Sequence, residues 1–464
     1  MKNRILLLLL LTLLFASCGE DFLELTPSES IEASDAMSTP AKVNAVLIGA
    51  YDQMQYSYYL PYFIMEGDVK GEDVFVKSSG NYGRHVETYA YTELPTMYYC
   101  EDVWAYAYKV ITNVNLVING LEAVDMDEAS KVQLIAESRG LRGYSYLNMI
   151  QAYAMPYAVD PSALGVPLIL EPVLPSDPGP SRSTVQEVYT QIISDLTYAA
   201  ENLVASESYR LTTAAAKGLL ARAYLNMEDW ANASKWAKEA RDGYSLMTAD
   251  QLLEGFQDDS NSEWMWSLRS VADDNNGYLH VASFYDALRT LGYNSFRIDV
   301  DFRALFGADD TRLQQIDDGV YSGGHVSLKF EHVSGWVMDQ VLMRASEMYL
   351  IEAEAEAELG AGHETAAQDA LFAIQSRADA TAVKSTSTGE TLINEVLLER
   401  RKELWGEGFR WFDLNRRGLN VTRTSSSHWA LLDLPITDNK RRWPIPQDEI
   451  DANPNMVQNP GYAK

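Results

Sequence analysis

The sequence is poor in basic residues and in cysteine. Lysine and arginine together number 37 against 66 aspartate and glutamate residues, which gives a formal net charge of −29 over 464 residues. A chain this acidic, without a compensating basic patch, matches nucleic acid and anionic lipid headgroups poorly, and a neutral or cationic ligand fits it better. The two cysteines, Cys18 and Cys100, are too few for a cysteine cluster of zinc-ligand spacing.

Motifs of common catalytic sites are also missing. The chain has no phosphate-binding loop, dinucleotide-binding fingerprint, HExxH or GxSxG sequence. Six histidines are scattered without ligand spacing, so we expect no metal site among them: His85, His280, His325, His332, His363 and His428. A glycosidase is recognised by the separation of two carboxylates in space, so a glycan-degrading enzyme stays open as a less favoured alternative.

The first eighteen residues predict export and lipidation. Lys2 and Arg4 precede an apolar run of eleven residues from Ile5 to Phe15, well short of the roughly 20 needed to span a bilayer as a helix. This arrangement is typical of a signal peptide, here residues 1–17. The string LLFASC is similar to a bacterial lipobox, in which Cys18 becomes acylated and N-terminal. An ordinary cleaved signal with a chance cysteine is the alternative.

Acylation at Cys18 would tether residues 18–464 to a membrane as an otherwise soluble body, since two or more acyl chains anchor a protein stably. Loss of Lys2 and Arg4 with the signal changes the net charge from −29 to −31. Cys100 would then have no cysteine to pair with, and we expect a buried, inert thiol.

Helical periodicity dominates the rest and predicts a mainly α fold of tetratricopeptide-like helix pairs. In the stretch from Thr212 to Ala240, small residues recur with the spacing of a tetratricopeptide unit, and Met348 to Ala373 repeats this more loosely. Further helices are predicted over residues 41–55, 103–120 and 129–154. Such units stack into a scaffold, and a helical bundle without true repeats is the alternative.

Two regions break this pattern and are expected to form the ligand side, at about residues 56–102 and 258–341. The second contains short apolar runs between glycine, aspartate and asparagine, which predicts loops with a few strands. Proline-rich residues 155–183 and 443–446 are expected to be non-helical crossings. We treat residues 18–464 as one domain of scaffold and loops.

Tyrosine is abundant in the first of these regions. Twelve of the 27 tyrosines fall between Tyr51 and Tyr108. An aromatic ring offers a flat face to the C–H side of a sugar, and polar neighbours take up its hydroxyls. Trp104 and Tyr108 have helical spacing and are expected in the core, as is one face of the run with Trp264 and Trp266. The candidates for ligand contact are Tyr82, Tyr98 and Tyr99, in loop-like stretches, and Tyr278, Tyr285, Tyr293 and Trp336 in the second region.

The acidic stretch Asp273-Asp274-Asn275-Asn276-Gly277 offers oxygen ligands before a glycine turn. It lacks the EF-hand spacing and the distal glutamate, so we expect a solvated turn, with a structural calcium ion as the weaker alternative. No other cofactor is expected.

Several segments together resemble the SusD/RagB family of nutrient-uptake lipoproteins. They occur in the family's order: the lipobox with DFLELTPSES, then RGLRGYSYLNMIQAYA, VPLILEP, RSTVQEVYTQIISDL, the Thr212 to Ala240 repeat, LLERRKELWGEGFRWFDLNRRG and RRWPIPQDEIDANPNMVQNPGY. The acidic Glu20 and Asp21 are similar to the signal that exports lipoproteins of Bacteroidetes to the cell surface. The resemblance covers nearly the whole mature chain.

This resemblance implies a cell-surface, outer-membrane lipoprotein that captures oligosaccharides and delivers them to a SusC-like TonB-dependent transporter, without catalysis. It places the ligand site in the two loop regions, where Asp68, Asp73 and Arg84 are the polar candidates. It implies a structural role for the segment with Glu399, Arg400, Glu403, Arg410 and Asp413, which can form an ion network on a helix face.

Two alternatives remain besides the enzyme. A RagB-like relative would bind peptide, and a tetratricopeptide adaptor would bind a protein partner. Among glycans, the net charge favours neutral ones, although a local patch of Arg84, Arg289 or Arg297 could override it.

Overall fold

The computed structural model describes residues 33–172, 178–204, 208–257, 262–286, 292–330 and 334–462. The predicted signal peptide, Cys18 and Arg289 lie outside the described residues. The α-helices are α1 Ala33–Ala36, α2 Pro40–Gln55, α3 Leu60–Val69, α4 Val86–Ala90, α5 Tyr98–Gly120, α6 Glu128–Tyr153, α7 Val185–Asn202, α8 Thr213–Met227, α9 Trp230–Arg241, α10 Ala249–Leu253, α11 Val281–Tyr285, α12 Val300–Arg303, α13 Ala345–Leu359, α14 Glu364–Ala378, α15 Gly389–Glu403, α16 Arg410–Arg416 and α17 Gln447–Ala452.

The long helices form one continuous stack. Helix α2 packs on α5, and α5, α6, α7, α8 and α9 each pack on the next; α9 then packs on α13, which contacts α14 and α15. The mainly α scaffold of helix pairs is confirmed. The predicted helices are present, with the repeat from Thr212 forming α8 and α9 and the looser repeat forming α13 and α14.

Glycines allow α6 to approach its neighbour closely. A methyl group at Gly140 would lie 3.2 Å from Ala199 Cβ, and one at Gly143 would lie 2.9 Å from Leu196 Cγ, both in α7. These two glycines of the RGLRGYS sequence therefore set the distance between α6 and α7.

Within the described ranges, three antiparallel strand pairs are added to the stack. The strands are β1 Val74–Val76, β2 Trp264–Leu268, β3 Phe296–Ile298, β4 Gln340–Arg344, β5 Val421–Arg423 and β6 Leu432–Leu434, paired as β1 with β3, β2 with β4 and β5 with β6. The pairing of Val74 with Ile298 joins the two loop regions. All five residues of β2 are buried, so Trp264 and Trp266 lie in the core as expected, and the other face of the run is buried as well.

The C-terminal segment packs with the earlier proline-rich crossing against the end of α6. The Trp443 N–H donates to Ala152 O at 2.9 Å, and Asn459 Nδ2 donates to Tyr153 O at 2.7 Å. Arg182 in the earlier crossing donates to Asn459 Oδ1 at 2.9 Å, so the two segments hold each other against the end of α6.

Across the described ranges, no helix is both long enough and apolar enough to cross a membrane. Cys100 is free and buried in α5, as expected.

Candidate functional site

Tyrosines form a continuous row along the two joined loop regions; Tyr62 in this row is buried, and the other members are half-buried or exposed. We call this row the aromatic strip, made of Tyr106, Tyr56, Tyr58, Tyr62, Tyr98, Tyr293 and Tyr82 together with Arg84. At one end, Tyr106 stacks on Tyr56 with ring centroids 4.4 Å apart. Tyr58 lies 5.3 Å from Tyr56 and 5.0 Å from Tyr62, in both cases edge to face. Tyr98 lies 6.0 Å from Tyr62.

Arg84 connects this half of the strip to the other half. Its Nη1 donates to the Tyr62 hydroxyl at 2.7 Å, and its guanidinium carbon lies 4.7 Å from the centre of the Tyr293 ring. Tyr293 stacks on the buried Phe284 at 4.8 Å and meets Tyr82 at 5.5 Å. Tyr82 is 77% exposed, so its ring is available to a ligand.

The turn that carries Tyr82 and Arg84 is fixed by unusual backbone geometry. Tyr82 and His85 both have positive φ, at 57° and 58°, which is rare for residues other than glycine. His85 Nδ1 lies 2.7 Å from Glu66 Oε1, with both side chains buried, and the imidazole lies 5.2 Å from the Phe284 ring. A strained turn persists only where its surroundings hold it, so this buried contact preorganises the exposed end of the strip.

Four of the predicted site residues come together in the strip, namely Tyr82, Tyr98, Tyr293 and Arg84. Tyr98 is 42% exposed, but it lies in the first turn of α5 rather than in a loop as predicted. Tyr278 is 56% exposed in a short 3₁₀ turn, and among the described ring contacts none joins it to the strip. For these five residues ligand contact stays a prediction.

The other five predicted site residues are buried, which contradicts direct contact with a surface ligand; they are Tyr99, Asp68, Asp73, Tyr285 and Trp336. Tyr99 also lies in the first turn of α5, not in a loop, and Trp336 packs against Gly292.

The two aspartates have structural partners. Asp68 accepts from the Tyr285 hydroxyl at 2.8 Å and from the Gly408 N–H at 3.0 Å, and burial raises the pKa of its carboxyl to about 7. Asp73 accepts from Arg401 Nε at 2.8 Å. Both carboxylates therefore link the first loop region to the C-terminal part of the chain.

Sequence reasoning missed Tyr56, Tyr58, Tyr62 and Tyr106 as individual site residues. Two signals point to them: the dense YSYYLPY run, and the spacing of Tyr98 and Tyr106 eight residues apart on α5, which puts both on one helix face.

A cavity of about 350 Å³ adjoins the Tyr56 end of the strip. Its polar lining includes Asp52, Asp274 and Asn275. The acidic stretch expected to form a turn, with a calcium ion as the weaker alternative, has hydrogen bonds of its own here: Asn275 Nδ2 donates to Val271 O at 2.8 Å, and Asn275 Oδ1 accepts from the Gly277 N–H at 2.9 Å. Within the described residues no three His, Cys, Asp or Glu side chains are grouped to hold a metal ion.

A helical stack with an exposed aromatic strip on inserted loops defines a scaffold protein whose surface suits flat, partly apolar ligands bearing hydroxyl groups. More specifically, the chain belongs to the SusD/RagB family. Residues 21–225 match a family model described as starch-binding associating with outer membrane, and residues 307–462 match the SusD family model.

Individual relatives agree with this assignment. A SusD-like protein of Bacteroides ovatus is 27% identical over 288 residues, which is 58% of this chain and 50% of that relative. The starch-binding protein SusD of Bacteroides thetaiotaomicron is 32% identical over 127 residues, 27% of this chain and 22% of that protein. A solved SusD superfamily protein from Bacteroides thetaiotaomicron has a TM-score of 0.85 at 29% identity, covering 91% of this chain and 100% of that chain.

Proposed function

We propose that this protein is a cell-surface lipoprotein that binds an oligosaccharide on the aromatic strip and passes it to a SusC-like TonB-dependent transporter. The strip is the observation that carries the proposal. Six of its seven rings, all except Tyr62, are exposed or half-buried and bear hydroxyl groups, so a bound sugar chain meets both ring faces and hydrogen-bonding partners.

Membrane attachment and the transporter partner rest on other grounds. The lipobox at Cys18 supports a lipid anchor in the outer membrane, and the family description as associating with outer membrane supports that location. Membership of the SusD/RagB family supports the transporter partner. The proposal includes no catalytic step, and residues 18–464 act as one unit in it.

Binding on this strip is expected to be weak and reversible, because the cargo must leave the protein. Tyr56, Tyr98 and Tyr82 are exposed at the surface of the strip, and such a surface, unlike a deep groove lined with backbone donors, favours a glycan over the peptide cargo of a RagB-like relative. Peptide remains the alternative.

Affinity electrophoresis of the mature chain carrying Cys18→Ser against a panel of polysaccharides tests the proposal. We expect retardation by at least one glycan, and weaker retardation for Tyr82→Ala and for Tyr293→Ala. Tyr209→Ala is the matched control, because Tyr209 is half-buried and contacts Arg269 away from the strip. Retardation unchanged in both strip variants would contradict the assignment of the site, and released sugar products would contradict a pure binding role.

A further inference from the structure

We infer that the Tyr293 end of the aromatic strip binds an anionic group of the glycan, a uronic-acid carboxylate or a sulfate ester. The inference rests on the proposed function and adds the class of sugar. It starts from three cations brought together by the β1 and β3 pairing: Lys77, Arg84 and Arg297. Within the described residues none of the three forms an ion pair with a carboxylate.

Arg84 is the cation that a ligand can reach. Its protein contacts are the Tyr62 hydroxyl and the face of Tyr293, and it is neither buried nor fully exposed. The neighbours that act electrostatically on it are tyrosines, namely Tyr62, Tyr293 and Tyr98. A guanidinium that uses one nitrogen for a neutral hydroxyl keeps further N–H groups for a carboxylate or sulfate, the partners it binds best.

Lys77 lies at the start of the loop that carries Tyr82 and Arg84, and a methyl group at Gly80 of that loop would lie 3.8 Å from Lys77 Nζ. Lys77 follows β1 directly, and its N–H donates to Ser295 O at 2.9 Å, two residues beyond Tyr293. Its ammonium is half-buried, and burial together with the positive charge of Arg297 lowers its pKa. Two cations that repel each other without a carboxylate between them gain from an anion at this place.

Arg297 adds a buried charge beneath the surface. Its guanidinium donates to Tyr321 O at 3.2 Å and Phe296 O at 2.6 Å, and burial lowers its pKa to about 10. Three other buried arginines that lack a carboxylate each donate to at least three backbone or amide oxygens: Arg182, Arg423 and Arg441. The charge of Arg297 is compensated by fewer oxygen acceptors than theirs, so it strengthens the positive potential at Lys77 and Arg84.

The two ends of the strip differ in charge. Asp52 and Asp274 line the cavity beside Tyr56, and Asp102 and the opposing charge of Lys109 both act electrostatically on that ring, so carboxylates outnumber cations at this end. An acidic sugar is therefore attracted to the Tyr293 end and repelled from the Tyr56 end, which fixes the direction of the chain. The net charge of −29 does not prevent this, because exposed charges farther away than about 8 Å are largely screened at physiological ionic strength.

Isothermal titration calorimetry with paired glycans tests the inference on the mature Cys18→Ser protein. Uronic-acid oligosaccharides are compared with their carboxyl-reduced forms, and sulfated ones with their desulfated forms. We expect at least one acidic member to bind about 10-fold more tightly than its neutral counterpart, as one charge-assisted hydrogen bond supplies. Preference within uronate pairs identifies a carboxylate, and preference within sulfated pairs identifies a sulfate.

Lys77→Met should remove most of this preference and reduce its salt dependence, while binding of the neutral member stays. Arg84→Met should have the same effect, but it also removes the contact with the Tyr293 ring. Arg84→Lys, which keeps the positive charge, is therefore measured alongside it. Lys109→Met is the matched control, since Lys109 lies 3.9 Å over the Tyr106 ring at the opposite end. Near-UV circular dichroism checks that each variant is folded.

The outcomes distinguish a failure of the inference from a failure of the proposed function. If neutral glycans bind as well as acidic ones, or if Lys77→Met keeps the preference, the inference is wrong and the proposed function stands. If no glycan binds, both fail. Binding of peptides with a free C-terminal carboxylate, lost on amidation and in Lys77→Met, in the absence of glycan binding would assign the cationic end to a peptide instead.

Discussion

The Asp68 side chain shows how a single carboxyl group can make stability depend on pH. It is buried between Tyr285 and the Gly408 N–H, and its pKa of about 7 exceeds the ordinary value of 3.8 because ionisation in this place costs desolvation. Between these two pH values the folded protein binds more protons at Asp68 than the unfolded chain does. The contribution of Asp68 to stability is therefore complete below pH 3.8 and is lost as the pH rises through about 7.

Asp68→Asn should remove this loss, because an amide does not titrate. Relative to the unsubstituted protein, the variant should gain free energy of unfolding as the pH rises from 3.8 to about 7, by at most about 1.4 kcal/mol per pH unit. Urea unfolding at a series of pH values measures the difference. Asp127→Asn serves as control, since the pKa of that exposed carboxyl is lowered by its hydrogen bonds to Ser130. Parallel pH curves for Asp68→Asn and the parent would contradict the prediction.

Gly67 illustrates a second constraint at the scale of one residue. A methyl group there would lie 2.1 Å from Gly408 O and 2.9 Å from a ring carbon of Phe412. Helix α3 and the chain before α16 therefore touch backbone to backbone.

Gly67→Ala should destabilise the protein by about 2–3 kcal/mol, because the backbone it would strike cannot rotate away. Gly307→Ala is the control, since no heavy atom lies within 4 Å of the added methyl group and its φ is ordinary. Thermal unfolding measures both. Equal melting temperatures for the two variants would show that the contact is looser than described.

Residue types alone could not separate ligand contacts from core packing. Tyr82 and Tyr285 look alike in sequence, yet one is 77% exposed and the other is hydrogen-bonded to Asp68 in the core. Burial depends on β3 returning to β1 from a distant part of the chain, and no local pattern reports that event.

Buried ion pairs of Arg344 join β4 to α15 and to the neighbouring segments. Arg344 contacts Glu263 at 2.7 Å, Glu403 at 2.6 Å and Glu407 at 2.8 Å. The prediction of an ion network on one helix face is therefore wrong, because the described ion pairs of those residues run mostly between different elements. Arg400 does meet Asp413 at 2.8 Å, but Glu403 pairs outside the predicted set and Arg410 pairs with Glu72. The sequence shows charges at helical spacing, whereas their partners come from other elements.

Arg344→Met should cost about 3–5 kcal/mol, since it leaves buried carboxylates without their counter-ion. The control is Lys384→Met, which removes an exposed pair with Asp369 and should change stability by less than about 1 kcal/mol. Urea midpoints at neutral pH compare the two. A small effect at Arg344 would mean that Lys329 or Arg377 compensates.

Helices were predictable where periodicity was strong and less so at their ends. Helix α6 begins and ends one residue from its predicted limits, whereas α5 begins at Tyr98 and not at Val103. The aromatic and acidic residues at the start of α5 do not form an apolar helix face. That first turn is helical because its Tyr98 side chain packs within the aromatic strip.

At the scale of the whole molecule, charge is the dominant property. With 66 acidic and 37 basic residues, the folded protein repels itself, while its buried pairs are shielded from solvent ions. Raising the salt concentration from about 0.01 M to 0.15 M shortens the Debye length from about 30 to 8 Å and weakens the repulsion.

The melting temperature should therefore rise by a few degrees over that range, as differential scanning calorimetry can measure. Replacing sodium chloride by sodium bromide at equal ionic strength separates screening from ion-specific effects. A melting temperature that falls with salt would mean that exposed ion pairs outweigh the net repulsion.

The pairing of β1 with β3 also determines when the aromatic strip is complete. Tyr82 and Arg84 are synthesised early but meet Tyr293 only after more than two hundred further residues have been made. Contacts this distant in sequence form late in folding, after the local helix pairs. A chain interrupted during synthesis would carry part of the scaffold and no complete strip, so only a finished molecule presents the proposed site.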